Sequence, residues 1–203
     1  MSVKGYSQSY FYSLGLGGNL FKGDVQSWNI RPTFGQLKTI RPSIQGEFGL
    51  QLNKTFDVSL RLGLGLLHAD PAANPLPIVS NSASAFNSPL VELALLGDYN
   101  FFDFLPKEQT NFNWTPYFIS GIAGFTTSGV KSLAIPYGVG IKWKLNKKIM
   151  LRFESVARKT LTDRIDSEGF TTSSYNFGNS DQYINTNISI VYSVYPIICP
   201  RID

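Results

Sequence analysis

From Leu133 to Leu145 the chain reads Leu-Ala-Ile-Pro-Tyr-Gly-Val-Gly-Ile-Lys-Trp-Lys-Leu. A β-strand turns successive side chains to opposite faces. One face of this segment therefore carries Leu133, Ile135, Tyr137, Val139, Ile141, Trp143 and Leu145, and the other Ala134, Pro136, Gly138, Gly140, Lys142 and Lys144. A soluble barrel turns its bulky face inward and its lysines outward. Here the small, cationic face is too thin and too polar to pack as a hydrocarbon core. The bulky face needs a solvent that accepts it, and lipid is that solvent.

The same alternation recurs along the chain. Tyr10, Tyr12, Leu14, Leu16 and Leu20 oppose Phe11, Ser13, Gly15, Gly17 and Asn19. Phe56, Val58, Leu60, Leu62, Leu64 and Leu66 oppose Asp57, Ser59, Arg61, Gly63 and Gly65. Segments around Ile44–Leu52, Val91–Phe101, Ile149–Phe153 and Ile184–Val194 repeat it. Tyr117 to Phe125 is the least regular, because with its odd positions outward Phe118 and Ile122 fall on the thin side. The pattern predicts an all-β chain of eight antiparallel strands, each about 10 to 13 residues long, closed as an up-and-down transmembrane barrel of OmpA-like size.

The links between strands give an independent signal. Phe21 to Ile40 and His68 to Asn87 each span about 20 residues, and Thr160 to Gln182 about 23, whereas Asn53-Lys54-Thr55 and Asn146-Lys147-Lys148 are tight turns. Thr126 to Val130 is short and Phe102 to Trp114 of middling length. Outer-membrane barrels keep short turns in the periplasm and long loops outside. That rule places both termini in the periplasm, with a barrel over residues 9–195, an amino-terminal remnant over 1–8 and a periplasmic tail over 196–203. Met1 to Gln8 has a lysine but no apolar stretch, which reads as a start behind a removed secretory signal or as a misplaced one. Tyr10, Tyr12, Phe56, Tyr99, Phe101, Tyr117, Trp143 and Tyr192 fall near the periplasmic strand ends, where a girdle of rings at headgroup level is expected. Trp28, Phe125, Phe170, Tyr175 and Phe177 are candidates for the outer rim.

Eight strands leave a bore just wide enough for side chains. Its inward positions include Arg41, Glu47, Asp57, Arg61, Glu92, Asp98, Lys142, Lys144, Arg152, Glu154 and Arg158. Buried charges persist only when paired. The expectation is a mixed-charge plug built on Arg41, Glu47, Arg61, Glu92, Arg152 and Glu154, in which Glu47 and Glu92 neutralise some of Arg41, Arg61 and Arg152. A luminal cation or substrate site is the alternative use of the same residues. The net charge of +4 is scattered among turns and interior, which argues against nucleic acid as a partner.

Catalytic signals are thin. His68, the single histidine, sits where the third strand meets a loop; a lipid-modifying enzyme would need it to meet a serine and a carboxylate at the rim. No cysteine lies near it to complete a zinc site. The reading is of a protein without catalytic residues, cofactor or metal. Two segments look instead like interaction devices. The link from Phe102 is long for a periplasmic turn and offers Phe102, Phe104, Leu105 and Lys107 as exposed contact residues. The tail offers Ile198, Cys199 and Arg201, and a lone cysteine in an oxidising compartment points to an intermolecular disulfide.

Four blocks also carry a resemblance: Glu92-Leu93-Ala94-Leu95-Leu96-Gly97-Asp98-Tyr99-Asn100-Phe101, Thr115 to Gly124, Ala134 to Asn146 and Arg158 to Asp163. In this order they resemble the PorG family of outer-membrane barrels in the type IX protein secretion machinery of Bacteroidota. The resemblance implies a non-enzymatic component of protein transport and gliding motility. Its implied partners are periplasmic ring proteins of the PorK/GldK and PorN/GldN types. A generic small barrel serving adhesion or membrane stability is the other reading of the same fold.

Overall fold

The computed structural model describes residues 9–22, 40–69, 86–104, 113–161 and 182–195. These form eight strands: β1 (Ser9–Lys22), β2 (Arg41–Gln51), β3 (Phe56–Ala69), β4 (Phe86–Asn100), β5 (Trp114–Thr127), β6 (Val130–Lys144), β7 (Ile149–Thr160) and β8 (Gln182–Val194). Each pairs antiparallel with its sequence neighbours, and β1 pairs with β8 to close the barrel. The strands run 11 to 15 residues, slightly longer than the alternation suggested.

The barrel is inside out relative to a soluble protein. Leu14 is 71% exposed, Val139 61% and Ile190 59%, while Arg61 and Glu154 are 0% exposed. An outer wall of leucine, isoleucine, valine and aromatic rings around a charged bore is the arrangement of a transmembrane barrel. The wall carries an aromatic girdle at the end bearing the two tight turns, where Tyr10, Tyr12, Phe48, Phe56, Tyr99, Phe101, Trp114, Trp143 and Tyr192 face outward. Tyr10 stacks on Phe48 at 6.2 Å between ring centres, and Tyr99 meets Phe101 edge-on at 5.6 Å.

β5 is turned over relative to the expectation. Its lipid face carries Phe118 and Ile122, and Tyr117, Ile119, Ala123 and Phe125 point into the bore. Tyr117 is thus removed from the girdle and Phe125 from the outer rim. The cause lies on the neighbouring strand: a Cβ at Gly140 would stand 2.5 Å from Cε1 of Tyr117. The inward glycine leaves the socket that the ring fills. Gly49 does the same for Phe11. The thin face is therefore thin partly because it accepts rings from the strand beside it. Trp28, Phe170, Tyr175 and Phe177 lie outside the described residues.

The links follow from local chemistry. β5 and β6 are joined by Ser128 and Gly129, with φ of 42° and 85°. Two successive positive φ values give the turn whose twist matches paired strands. This hairpin stands at the end of the barrel that also carries the links after β1, β3 and β7. At the opposite end Asn53 Oδ1 accepts the N–H groups of Thr55 and Phe56, each at 2.8 Å, closing the β2–β3 turn. Asn146 Oδ1 accepts those of Lys148 and Ile149 in the same way.

Candidate functional site

The bore is filled in layers. At the tight-turn end the chain leaving β4 folds back so that Phe104 enters the mouth, 1% exposed, against Phe11, Met150 and Val191. Its N–H donates to the Lys54 carbonyl at 3.0 Å, and its own carbonyl accepts from Gln51 Nε2 at 2.9 Å. This corrects the expectation of an exposed docking ring: an aromatic side chain beside an apolar-lined mouth is better placed inside than in water. Phe102 is half-buried and packs edge-on against Trp114 at 5.7 Å. Leu105, Lys107, Ile198, Cys199 and Arg201 lie outside the described residues.

Above the plug, Asp57 and Asp98 stand opposite each other on β3 and β4. Lys142 reaches across the bore to both, at 2.7 and 2.9 Å, with its Nζ 4.3 Å from the Tyr117 ring centre. Lys142 itself stands beside Arg152 on β7. Like charges side by side on neighbouring strands oppose pairing. Closure of the cylinder sets the two carboxylates against the two cations.

The central layer is the densest. Glu47 lies opposite Arg61 in the β2–β3 register. It accepts from Arg61 Nε at 2.8 Å, from Arg152 Nη1 at 3.0 Å and from Arg152 Nη2. Arg61 also pairs with Glu154 at 2.5 Å. Glu154 further accepts from the Tyr117 hydroxyl at 2.5 Å, Asn187 Nδ2 at 3.0 Å and Gln45 Nε2 at 3.3 Å. Ser13 Oγ accepts from Arg152 Nη2 at 3.1 Å and Ser189 Oγ from Arg152 Nε at 3.2 Å. One step outward, Glu92 pairs with Arg158 at 2.6 Å and accepts from the Tyr183 hydroxyl. The bore ends on Phe21, Leu67, Leu90 and Phe125.

Of the six residues expected to form the network, Glu47, Arg61, Arg152 and Glu154 meet in one cluster. Glu92 is assigned differently: its partner is Arg158, because β3 and β4 set Glu92 level with Gly63 while Arg61 faces Glu47. Arg41 opens β2 six residues from Glu47, about 20 Å along the strand, and donates to the Ile40 carbonyl at 3.3 Å. Tyr117, Tyr183, Gln45 and Asn187 complete the network and were missed as partners. Their alternation gave the inward face for Asn187, but nothing local says which carboxylate lies across the bore.

The cavities beside these layers are small. One lined by Glu92, Arg158, Tyr183 and Asn185 and one lined by Phe104, Asp57, Lys142 and Met150 measure about 20 Å³ each. Each holds about one water. Among the described residues no group of histidine, cysteine and acidic side chains could hold a metal. His68 is on the outer wall and half-buried, level with Asn87, while Ser88 on the same strand points inward, so these neighbours do not converge as a nucleophile and base.

The profile of a domain of unknown function, DUF6089, matches residues 50–201, most of the barrel. The chain belongs to the DUF6089 family. No curated protein sequence matches it. Among solved structures, this DUF6089 barrel is similar to Neisserial surface protein A, with a TM-score of 0.54 and 9% identity over 90% of this chain and 96% of that one. It is also similar to the attachment invasion locus protein Ail of Yersinia pestis, with a TM-score of 0.52 and 8% identity over 93% of this chain and 100% of that one. Both are outer-membrane β-barrels, and the likeness is one of fold.

Proposed function

We propose that this DUF6089 chain is a non-enzymatic outer-membrane component of type IX protein secretion. It anchors or assembles a periplasmic ring of the PorK/GldK and PorN/GldN types at the membrane. The tight-turn end and both termini face the periplasm, and the long links face outward. The observation that carries this reading is the sealed bore. Its charges are spent on one another, Phe104 closes one end and Phe21, Leu67, Leu90 and Phe125 the other. Such a cylinder neither conducts nor catalyses through its lumen; what it offers is a rigid, lipid-embedded mount. The PorG-like blocks from Glu92 to Asp163 supply the system in which a mount of this kind is needed.

The test is a detergent pull-down of the native barrel after crosslinking from residues 102–114 and 196–203. Recovery of the ring proteins with the barrel is expected. Recovery of the barrel alone would remove the secretion role and leave a generic surface or stability function for the same fold. Non-reducing mass spectrometry of the same complex reports whether Cys199 is bonded to a ring subunit.

A further inference from the structure

The tight-turn end is unevenly charged, and its charges are built into rigid turns. Leu52-Asn53-Lys54-Thr55-Phe56 and Leu145-Asn146-Lys147-Lys148-Ile149 are two copies of one design. In each, the leucine and asparagine N–H groups donate to the carbonyl of the closing residue, Phe56 or Ile149, at 3.0 to 3.3 Å. Each asparagine Oδ1 then fastens the two N–H groups that follow the lysine. Lys54 and Lys147 thus occupy equivalent positions. Lys148 follows Lys147, and both are exposed and pair with no carboxylate among the described residues. Outside the bore, Asp103 is the one carboxylate at this end among the described residues.

The position of these lysines decides what they face. Lys144 occupies an inward-facing strand position, and its Nζ stands 5.5 Å from the Phe104 ring centre. The Lys54 carbonyl holds the Phe104 N–H. Both residues therefore border the mouth of the bore, over the plug. The lipid-facing rim of the same end is taken by aromatic rings, Tyr10, Tyr99, Phe101, Trp114 and Trp143. A group seated against lysines at the mouth approaches along the barrel axis, away from the bilayer, which favours a protein over lipid headgroups.

We infer that this mouth is a docking face for an acidic surface of the periplasmic ring, seated across the bore and held by the exposed Lys147 and Lys148. The inference rests on the ring-anchoring reading above and adds the site and the chemistry of the contact. Charges at an interface rim act mainly on encounter and on salt dependence.

The experiment uses the full chain in zwitterionic nanodiscs and the purified ring assembly of the same organism. The wild type is compared with K147E/K148E, and with K131E as a control at the other end, where Lys131 is exposed. Wild-type binding is expected to weaken with added salt, and K147E/K148E to bind roughly tenfold more weakly, with K131E unchanged. Equal, salt-insensitive binding by all three overturns the docking face and leaves ring anchoring standing. If the wild type does not bind the ring, both readings fall. If the reversal leaves ring binding intact but abolishes a preference for phosphatidylglycerol nanodiscs, the lysines serve headgroups and the inference is overturned.

Discussion

Glu47→Gln tests the central layer most directly, because it keeps the shape of the side chain and removes its charge. Both carboxylate oxygens are engaged: Oε2 by Arg61 at 2.8 Å and by Arg152, and Oε1 by Arg152 at 3.0 Å. A glutamine would present an NH2 group to one of these donors and leave two buried guanidinium groups to share Glu154. Removing one partner of a buried ion pair costs about 3–5 kcal/mol. With a urea slope of about 2 kcal/mol per M, a loss of about 4 kcal/mol lowers the unfolding midpoint by roughly 2 M. The assay is urea unfolding of the barrel refolded into phospholipid vesicles, followed by tryptophan fluorescence from Trp114 and Trp143 on the outer wall. Arg152→Met and the double variant complete a thermodynamic cycle, and a coupling of about 1–3 kcal/mol is expected for groups in direct contact. A Glu47→Gln barrel within about 0.5 kcal/mol of wild type, or additive single effects, would refute the claim that this layer acts as one unit.

Phe104→Ala empties the mouth and is expected to cost about 3 kcal/mol in the same unfolding assay. It should raise no conductance in planar bilayers, since the charged layers and the cap of Phe21 and Leu67 remain; an open channel would contradict the sealed bore. Ile122→Arg places a cation on the lipid face of β5 and is expected to cost about 2–4 kcal/mol near the bilayer midplane; a neutral outcome in vesicle refolding would contradict contact of this position with lipid. Burial pushes the Tyr195 hydroxyl from 10.0 up to about 12, and it donates to the Lys147 carbonyl at 2.7 Å. Its contribution to stability is thus whole below pH 10 and lost as pH rises through 12. Ultraviolet titration of wild type against Tyr195→Phe reads this directly, and a tyrosine ionising near pH 10 in the difference would contradict that burial.

β3 and β6 show why so much of this barrel was legible. Over Phe56 to Leu66 and Leu133 to Leu145 bulky apolar residues alternate with small or charged ones, so only one pleat puts that hydrocarbon on one side, and the opposite face cannot form a core. The membrane solvent, the eight strands and the inward position of the charges follow from that. β5 lacks the property, because Tyr117, Ile119 and Phe125 on one face are as apolar as Phe118 and Ile122 on the other. Its orientation depends on a vacancy at Gly140, on a different strand. Phe104 was misread for a related reason: a ring in a link looks exposed until the mouth it fills exists.

Alternation in one chain segment is a local quantity, set by the two-residue pleat, and it determined the inside-out cylinder and which charges face the bore. Partnership across the bore is not local. Asp57 beside Asp98 and Lys142 beside Arg152 are repulsive neighbours on their own hairpins, and Glu92 could have reached several cations. Only the closing of β1 on β8 brings the opposite walls within hydrogen-bonding distance. It was this closure that matched Lys142 to both aspartates, Glu92 to Arg158, and Glu47 to Arg152 in addition to the Arg61 beside it on β3.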